Sequence, residues 1–186
     1  NADNFSWAGA APKLNTTGAI TVQSSNTTFA MNVDTSWFPL VTAPGSLTFG
    51  KPTNTTDVTF NAAITAAGPV TAYGSNVYVN YGITTTSQGQ GILIKARNDI
   101  VTGIGSAMSL QTKNGNITLW ADADGNNSGT IRVRENVTFN SANGSTSQTT
   151  GGGAITLAGG SSADANGLPA GYAYSASTNT AVWGAN

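Results

Sequence analysis

One short phrase recurs along this chain, and its spacing limits the fold more than any other feature. It is a glycine followed by alternating apolar and polar residues. The copies read Gly18-Ala-Ile-Thr-Val22, Gly45-Ser-Leu-Thr-Phe49, Gly68-Pro-Val-Thr-Ala72, Gly91-Ile-Leu-Ile94, Gly115-Asn-Ile-Thr-Leu119, Gly129-Thr-Ile-Arg-Val133 and Gly153-Ala-Ile-Thr-Leu157. Successive glycines stand 27, 23, 23, 24, 14 and 24 residues apart, so four of the six steps agree to within one residue. Alternation of this kind marks a half-buried strand, with Ile20, Leu47, Val70, Ile117, Ile131 and Ile155 on the inner face. Further strand-like stretches lie between the phrases, at Val58–Phe60, Val77–Val79, Met108–Leu110 and Val137–Phe139. Each repeat therefore holds two or three short strands separated by Gly, Asn or Ser turns. No segment carries a helical apolar period. The Ala-rich stretch from Asn61 lacks one and ends at Gly68-Pro69.

A unit of this size cannot bury its apolar face alone. Stacking the units lets each strand pair in parallel with its copy one turn away and builds a continuous core. The expected fold is all-β, a parallel β-helix (β-solenoid) with 23–24 residues per coil. The 186 residues then make roughly seven to eight coils and a rod about 35 Å long. A β-sandwich also has short strands at close spacing, but it gives no reason for one phrase to return at a fixed interval. The chain reads as a single solenoid domain over 1–186, a piece of a longer repeat protein. Two segments break the rhythm, 24–44 with Trp37-Phe-Pro-Leu40 and 161–174 with Gly167-Leu-Pro169, and are read as loop insertions, the first as a loop or covering flap. Near the end, Thr180-Ala-Val-Trp-Gly184 looks like a strand just beginning.

Composition narrows the function. Only 8% of residues are charged and the net charge is -1, which argues against a basic nucleic-acid surface or a polybasic membrane anchor. No apolar run approaches the ~18 residues of a membrane-spanning helix. With no Cys and no His, disulfides, Cys-His zinc sites and His-dependent triads are excluded. At 39% hydrophobic residues the chain is too apolar for a disordered one. Low charge with abundant Thr, Asn and Gly fits an extracellular or cell-surface β protein, with no nucleic-acid partner and no membrane insertion.

The wording of several repeats resembles a known group. Tyr73-Gly-Ser-Asn-Val-Tyr-Val-Asn80, Asn114-Gly-Asn-Ile-Thr-Leu-Trp-Ala-Asp122 and Gly151-Gly-Gly-Ala-Ile-Thr-Leu-Ala-Gly-Gly160 resemble repeats of the filamentous-haemagglutinin-like, β-strand-repeat bacterial surface adhesins. Gly167-Leu-Pro-Ala-Gly-Tyr-Ala173 is similar to a phrase that recurs between repeats in that group. The resemblance spans roughly residues 14 to 184. It implies a right-handed parallel β-helix, export to the cell surface, and a non-enzymatic stalk or binding segment in adhesion. The partners it implies are surface glycans or proteins, or other copies in a filament. It brings no catalytic motif, and the amino-terminal signature of two-partner secretion is not visible.

One candidate site stands out. Asp122 and Asp124, in Trp120-Ala-Asp-Ala-Asp-Gly-Asn-Asn127, offer two carboxylates at i and i+2 followed by Gly and Asn, which suits a hard cation such as Ca²⁺. The EF-hand pattern is not met, and a solvated turn is the plainer reading of Asp, Asn and Gly together. No other cofactor is expected. Lys95, Arg97, Arg132, Arg134 and Glu135 hold most of the mid-chain charge and could stack beside the two aspartates. That grouping is the basis of the alternative, a polysaccharide-binding or lyase-like β-helix. Interspersed surface charge worth ~0–1 kcal/mol per pair is the bland account. The four tryptophans and five tyrosines could stack sugars but are read mainly as core and rim packing. A Thr column for ice binding is broken within the phrases. The Asn-x-Ser/Thr triplets at Asn15, Asn26, Asn54, Asn116 and Asn136 carry little weight in so Asn- and Thr-rich a chain.

The alternation makes a direct prediction. Ile117→Asp or Ile155→Asp should unfold the chain, because an unpaired buried carboxylate costs several kcal/mol. Thr118→Asp and Thr156→Asp should be mild by thermal denaturation.

Overall fold

The recurring strands do pair in parallel with their copies. The structure is a computed structural model and describes residues 3, 5–6, 8–11, 13–103, 107–143 and 152–171. Sixteen strands, numbered in chain order, form three sheets. Sheet one holds β1 (Ala19–Val22), β3 (Ser46–Phe49), β6 (Val70–Gly74), β9 (Ile92–Ala96), β12 (Ile117–Ala121), β15 (Ile155–Ala163) and β16 (Pro169–Gly171). Sheet two holds β2 (Val33–Asp34), β4 (Val58–Phe60), β7 (Val77–Val79), β10 (Ile100–Thr102) and β13 (Ile131–Val133). Sheet three holds β5 (Ile64–Ala66), β8 (Ile83–Gln88), β11 (Met108–Lys113) and β14 (Val137–Asn140). From β3 to β15 every third strand returns to the same sheet. All strand pairs are parallel except β15 with β16.

Register follows the phrases residue for residue in sheet one. Ile20, Leu47, Val70, Ile92, Ile117 and Ile155 align in one inward column, and Val22, Phe49, Ala72, Ile94, Leu119 and Leu157 in the next. Inward residues of all three sheets join one core. At its amino-terminal end the core is aromatic. Phe38 lies 5.9 Å from Phe49, and Phe49 lies 5.7 Å edge-on from Phe60.

The sixth phrase departs from the expectation. Ile131, after Gly129, pairs with Ile100 in sheet two. The steps of 14 and 24 residues are thus one long step from Gly115 to Gly153. Sheet one consequently has six parallel strands among the described residues, spanning about 24 Å at the usual strand spacing, against the seven to eight coils expected.

The glycine itself is dictated by contact with the neighbouring strand. A Cβ on Gly68 would lie 1.7 Å from the Gly45 carbonyl oxygen, and one on Gly153 would lie 2.2 Å from that of Gly115. No side chain fits there, so the start of each sheet-one strand recruits the same residue.

A second column, unrecognised from sequence, runs along the start of sheet two. The side-chain oxygen of Asn32 accepts from the Asp57 N–H (3.0 Å), Asp57 from Asn76 (2.9 Å), Asn76 from Asp99 (3.2 Å) and Asp99 from Thr130 (2.7 Å). These residues each precede a strand, and together they satisfy backbone donors that the parallel ladder leaves over. The buried Asn54 does similar work in one turn. Its Oδ1 accepts from the Thr28 and Thr56 hydroxyls, and its Nδ2 donates to the carbonyls of Thr56 and Tyr73.

Segment 24–44 is more than a loop or flap. It contributes β2 and a 3-10 turn at Thr35–Trp37, and it inserts Phe29 and Phe38 into the core. Segment 161–171 carries the end of β15, a turn and β16, an antiparallel hairpin; residues 172–174 and the strand expected at 180–184 lie outside the described residues.

Two face assignments change. Ile155, on the last parallel strand of sheet one, is 45% exposed, because among the described residues no strand of sheet two or three follows it. Thr118 is buried although it points outward, since the hairpin residues Gly167 and Leu168 lie across that part of the sheet. In thermal melts, Ile117→Asp should therefore abolish folding while Ile155→Asp costs under about 1 kcal/mol, a surface-like effect. Asn54→Ala strands several buried partners and should cost about 3 kcal/mol.

Candidate functional site

The turn after β12 is where the chain's charges meet. β12 is buried on both faces over five residues, as the shorter β10 is over three. Its outward Trp120 is 5% exposed, with the indole Nε1 donating to the Gly160 carbonyl at 2.7 Å. The hairpin from β15 to β16 thus closes over the strand that leads into Asp122.

At Asp122 the chain leaves the sheet in the left-handed region, φ 50°, which Asp tolerates better than most residues. Its N–H donates to Asn98 (3.2 Å), its carbonyl accepts from Gly125 (3.0 Å), and Ala123 N–H donates to Ala96 (3.0 Å). The turn is therefore tied to the preceding rung by backbone bonds. Asp122 is only 3% exposed, so the expectation of a solvated turn fails at this residue. Its Oδ1 is buried with no hydrogen-bond partner, and so is Oδ1 of Asp124. Asp124 Oδ2 is better served, receiving Arg97 Nη2 at 3.0 Å and Asn126 Nδ2 at 3.2 Å.

Beside this turn, Lys95 Nζ sits 3.5 Å from the centroid of the Trp120 ring. Partial burial lowers its pKa below the ordinary lysine value. Pro52, Tyr73, Lys95, Arg97 and Ala123 line an adjacent hollow of about 170 Å³. On the other side, a cleft of about 380 Å³ is lined by Asp122, Gly125, Asn127, Ser161 and Ser162 together with backbone of the hairpin.

Of the charged residues grouped by sequence, Arg97 and Lys95 do come to the Asp122 turn. Arg132, Arg134 and Glu135 do not: Arg132 is exposed on β13 in sheet two, and the other two follow it in an exposed loop. Arg97–Asp124 is the ion pair seen among the described residues. The aromatic residues make no shared platform. Trp120 is covered, Trp37 packs against the core, and Tyr78 lies on sheet two, where burial and then the carboxylates of Asp57 and Asp99 raise its phenol pKa. Trp7, Trp183, Tyr172 and Tyr174 fall outside the described residues. In sheet one, Thr21, Thr48, Thr71, Thr118 and Thr156 share a column broken by Leu93. The neighbouring column is Tyr73, Lys95, Trp120 and Ala158, so no paired Thr rank exists there.

What sequence reading missed is the hairpin as a wall. Its tip is organised by Asp164, whose Oδ1 accepts the N–H groups of Asn166 (2.8 Å) and Leu168 (2.9 Å). The spacing Asp-x-Asn-Gly-Leu was a legible turn signal.

Comparison with family models, curated proteins and solved structures found no match to this chain.

The hairpin tip should respond to acid. The Leu168 N–H bond above all, opposed by some desolvation and helped by Asn166, holds the Asp164 carboxyl below the ordinary aspartate range. A depressed folded pKa stabilises the turn above the unfolded carboxylate value and loses that contribution as pH falls through the folded one. Leu168 amide exchange should therefore accelerate, relative to a core amide such as Leu119, below about pH 4, and Asp164→Ala should give the fast rate at neutral pH.

Proposed function

We propose that this chain winds as a right-handed parallel β-helix and serves as a non-enzymatic segment of an extracellular adhesin, a stiff rod that also displays binding surface. The observation that carries the reading is the return of every third strand, from β3 to β15, to the same sheet in parallel pairing around one core. Such a sequence of strands is accounted for by a chain advancing one strand spacing per turn. Connections between parallel strands of one sheet are right-handed in the great majority of proteins, which supports that hand. A ladder of this kind resists extension because each rung is bonded along its length to the next, and that suits a stalk. The resemblance of the repeats to filamentous-haemagglutinin-like surface adhesins points the same way.

The reading predicts that antibody against the chain labels intact, unpermeabilised producing cells. It also predicts that beads coated with the chain are retained on a cell or glycan surface, and that incubation with acidic or neutral polysaccharides releases no new chain ends. Depolymerisation abolished by Arg132→Ala or Asp122→Ala would overturn it in favour of a polysaccharide-degrading enzyme. Labelling only after permeabilisation would overturn the surface location.

A further inference from the structure

Among the described residues nothing answers the Asp122 side chain. The residue is 3% exposed, no hydrogen bond or ion pair reaches its carboxyl group from the described residues, and its Oδ1 is sealed from solvent. The backbone that carries it is anchored to the preceding rung by bonds to Ala96 and Asn98. Two residues on, Asp124 Oδ1 is a second sealed and unpartnered carboxylate oxygen. Arg97 answers only the other oxygen of Asp124, and Lys95 is directed to the Trp120 ring. A carboxylate removed from water without a partner is strongly unfavourable, and at Asp124 the Arg97 pair offsets that cost for one oxygen and leaves the other unbonded.

We propose that this turn is a binding site for a hard divalent cation of the Ca²⁺ type, with Asp122 as its principal ligand and the cleft between the turn and the hairpin as its approach. Asp122, Asn127, Ser161 and Ser162, which line this cleft, each carry a side-chain oxygen. Calcium accepts six to eight oxygen ligands in loose geometry and tolerates carbonyls, hydroxyls and water among them, whereas Mg²⁺ demands a tight octahedron and keeps its waters. Three turn residues in the left-handed region, Asp122, Gly125 and Asn127, all line the cleft. Among the described residues no group of three or more acidic side chains converges, so neutral oxygens must complete the shell. A site with so few carboxylates belongs with the weak extracellular class, with dissociation constants of about 0.1–1 mM. The cation would tie the turn after β12 to the hairpin that covers Trp120. This site does not depend on the adhesin reading, since an enzyme on the same strands would present the same turn.

The test is calorimetric titration of the full chain with CaCl₂ and, separately, MgCl₂, alongside thermal melts in EDTA and in 10 mM CaCl₂. Wild type should bind one Ca²⁺ at least tenfold more tightly than Mg²⁺, and its melting midpoint should rise by about 5 °C with calcium. Asp122→Asn should lose at least tenfold in calcium affinity and lose the midpoint shift. In EDTA the same variant should melt no lower than wild type, because it removes a buried charge without a partner. Asp34→Asn, which removes a carboxylate bonded to Ser36 and Asn61 far along the chain, should leave calcium binding unchanged. Absence of saturable binding by wild type would overturn the proposal, as would a clearly lower midpoint for Asp122→Asn in EDTA, which would mean that the carboxylate is already satisfied without a cation. A calcium shift retained in Asp122→Asn would overturn it as well.

Discussion

Close backbone approach at the start of sheet one is the constraint on which the rest of this structure depends. A methyl group at Gly68 or Gly153 would collide with the carbonyl of the glycine one rung below. Because only glycine fits, each of these strands starts at the same point relative to its neighbour, and the two residues that follow are committed to fixed faces. A slip of one residue would turn the whole Ile20-to-Ile155 column outward. Registration at this one point sets which side chains meet along the sheet. The Asn and Asp column before the sheet-two strands sets a second point per rung. With two points pinned, the third sheet tolerates more variation, as the register shift between β8 and β11 illustrates.

The strands of sheet one were legible in the sequence because glycine and alternation act together there. Both signals arise from contacts between adjacent rungs, so they recur at the rung interval. The Gly129 phrase was misplaced for an instructive reason. Gly129 is tight against Asp122 and Asn98, so it too is selected by close approach, but at the start of a sheet-two strand. The same local physics writes the same phrase in either sheet, and sequence spacing alone cannot separate them. The Asn32, Asp57, Asn76, Asp99 column was hidden by the opposite effect. Its members are separated by 25, 19 and 23 residues, and Asn and Asp alternate along it. Either residue offers the carbonyl-type oxygen that the next N–H needs, so the chemistry is constant while the letters change. Asp57 and Asp99 look like isolated surface charges until the register is known.

Faces near the carboxy-terminal hairpin were the least legible. Alternation reports which side of a strand meets the core of its own sheet. It does not report a distant segment that folds across the outer side. Thr118 and Trp120 are polar and amphipathic residues at outward positions, and both end up buried because the hairpin carrying Gly160, Gly167 and Leu168 lies over β12. Ile155 is the converse. Its phrase is intact and its register correct, yet its inward side chain is 45% exposed for want of a further rung of the other sheets among the described residues. Burial in this fold is a property of the stack, and a strand at its margin keeps the pattern without the packing.

The unusual burial of Asp122 follows from these same two circumstances. β12 is the rung at which the chain makes its longest excursion, 38 residues to the next sheet-one glycine. The Asp122 turn begins that excursion, and the hairpin after β15 returns to cover it. Sheet one therefore brings together two segments that lie about 40 residues apart, one ending in carboxylates and one carrying serines. Among the described residues, some polar side chains that leave the solvent are answered within one rung, as Asn54 is by Thr28, Thr56 and Tyr73, while the buried Oδ1 of Asn80 is not. Asp99 likewise receives the Thr130 amide and hydroxyl. Asp122 has no such partner on the rung before or after it, while its neighbour Asp124 is given an arginine. Asn54 and Asp99 are satisfied by hydrogen bonds between neighbouring rungs, whereas the Asp122 carboxylate lies where a covering segment, rather than a neighbouring strand, supplies the opposite wall.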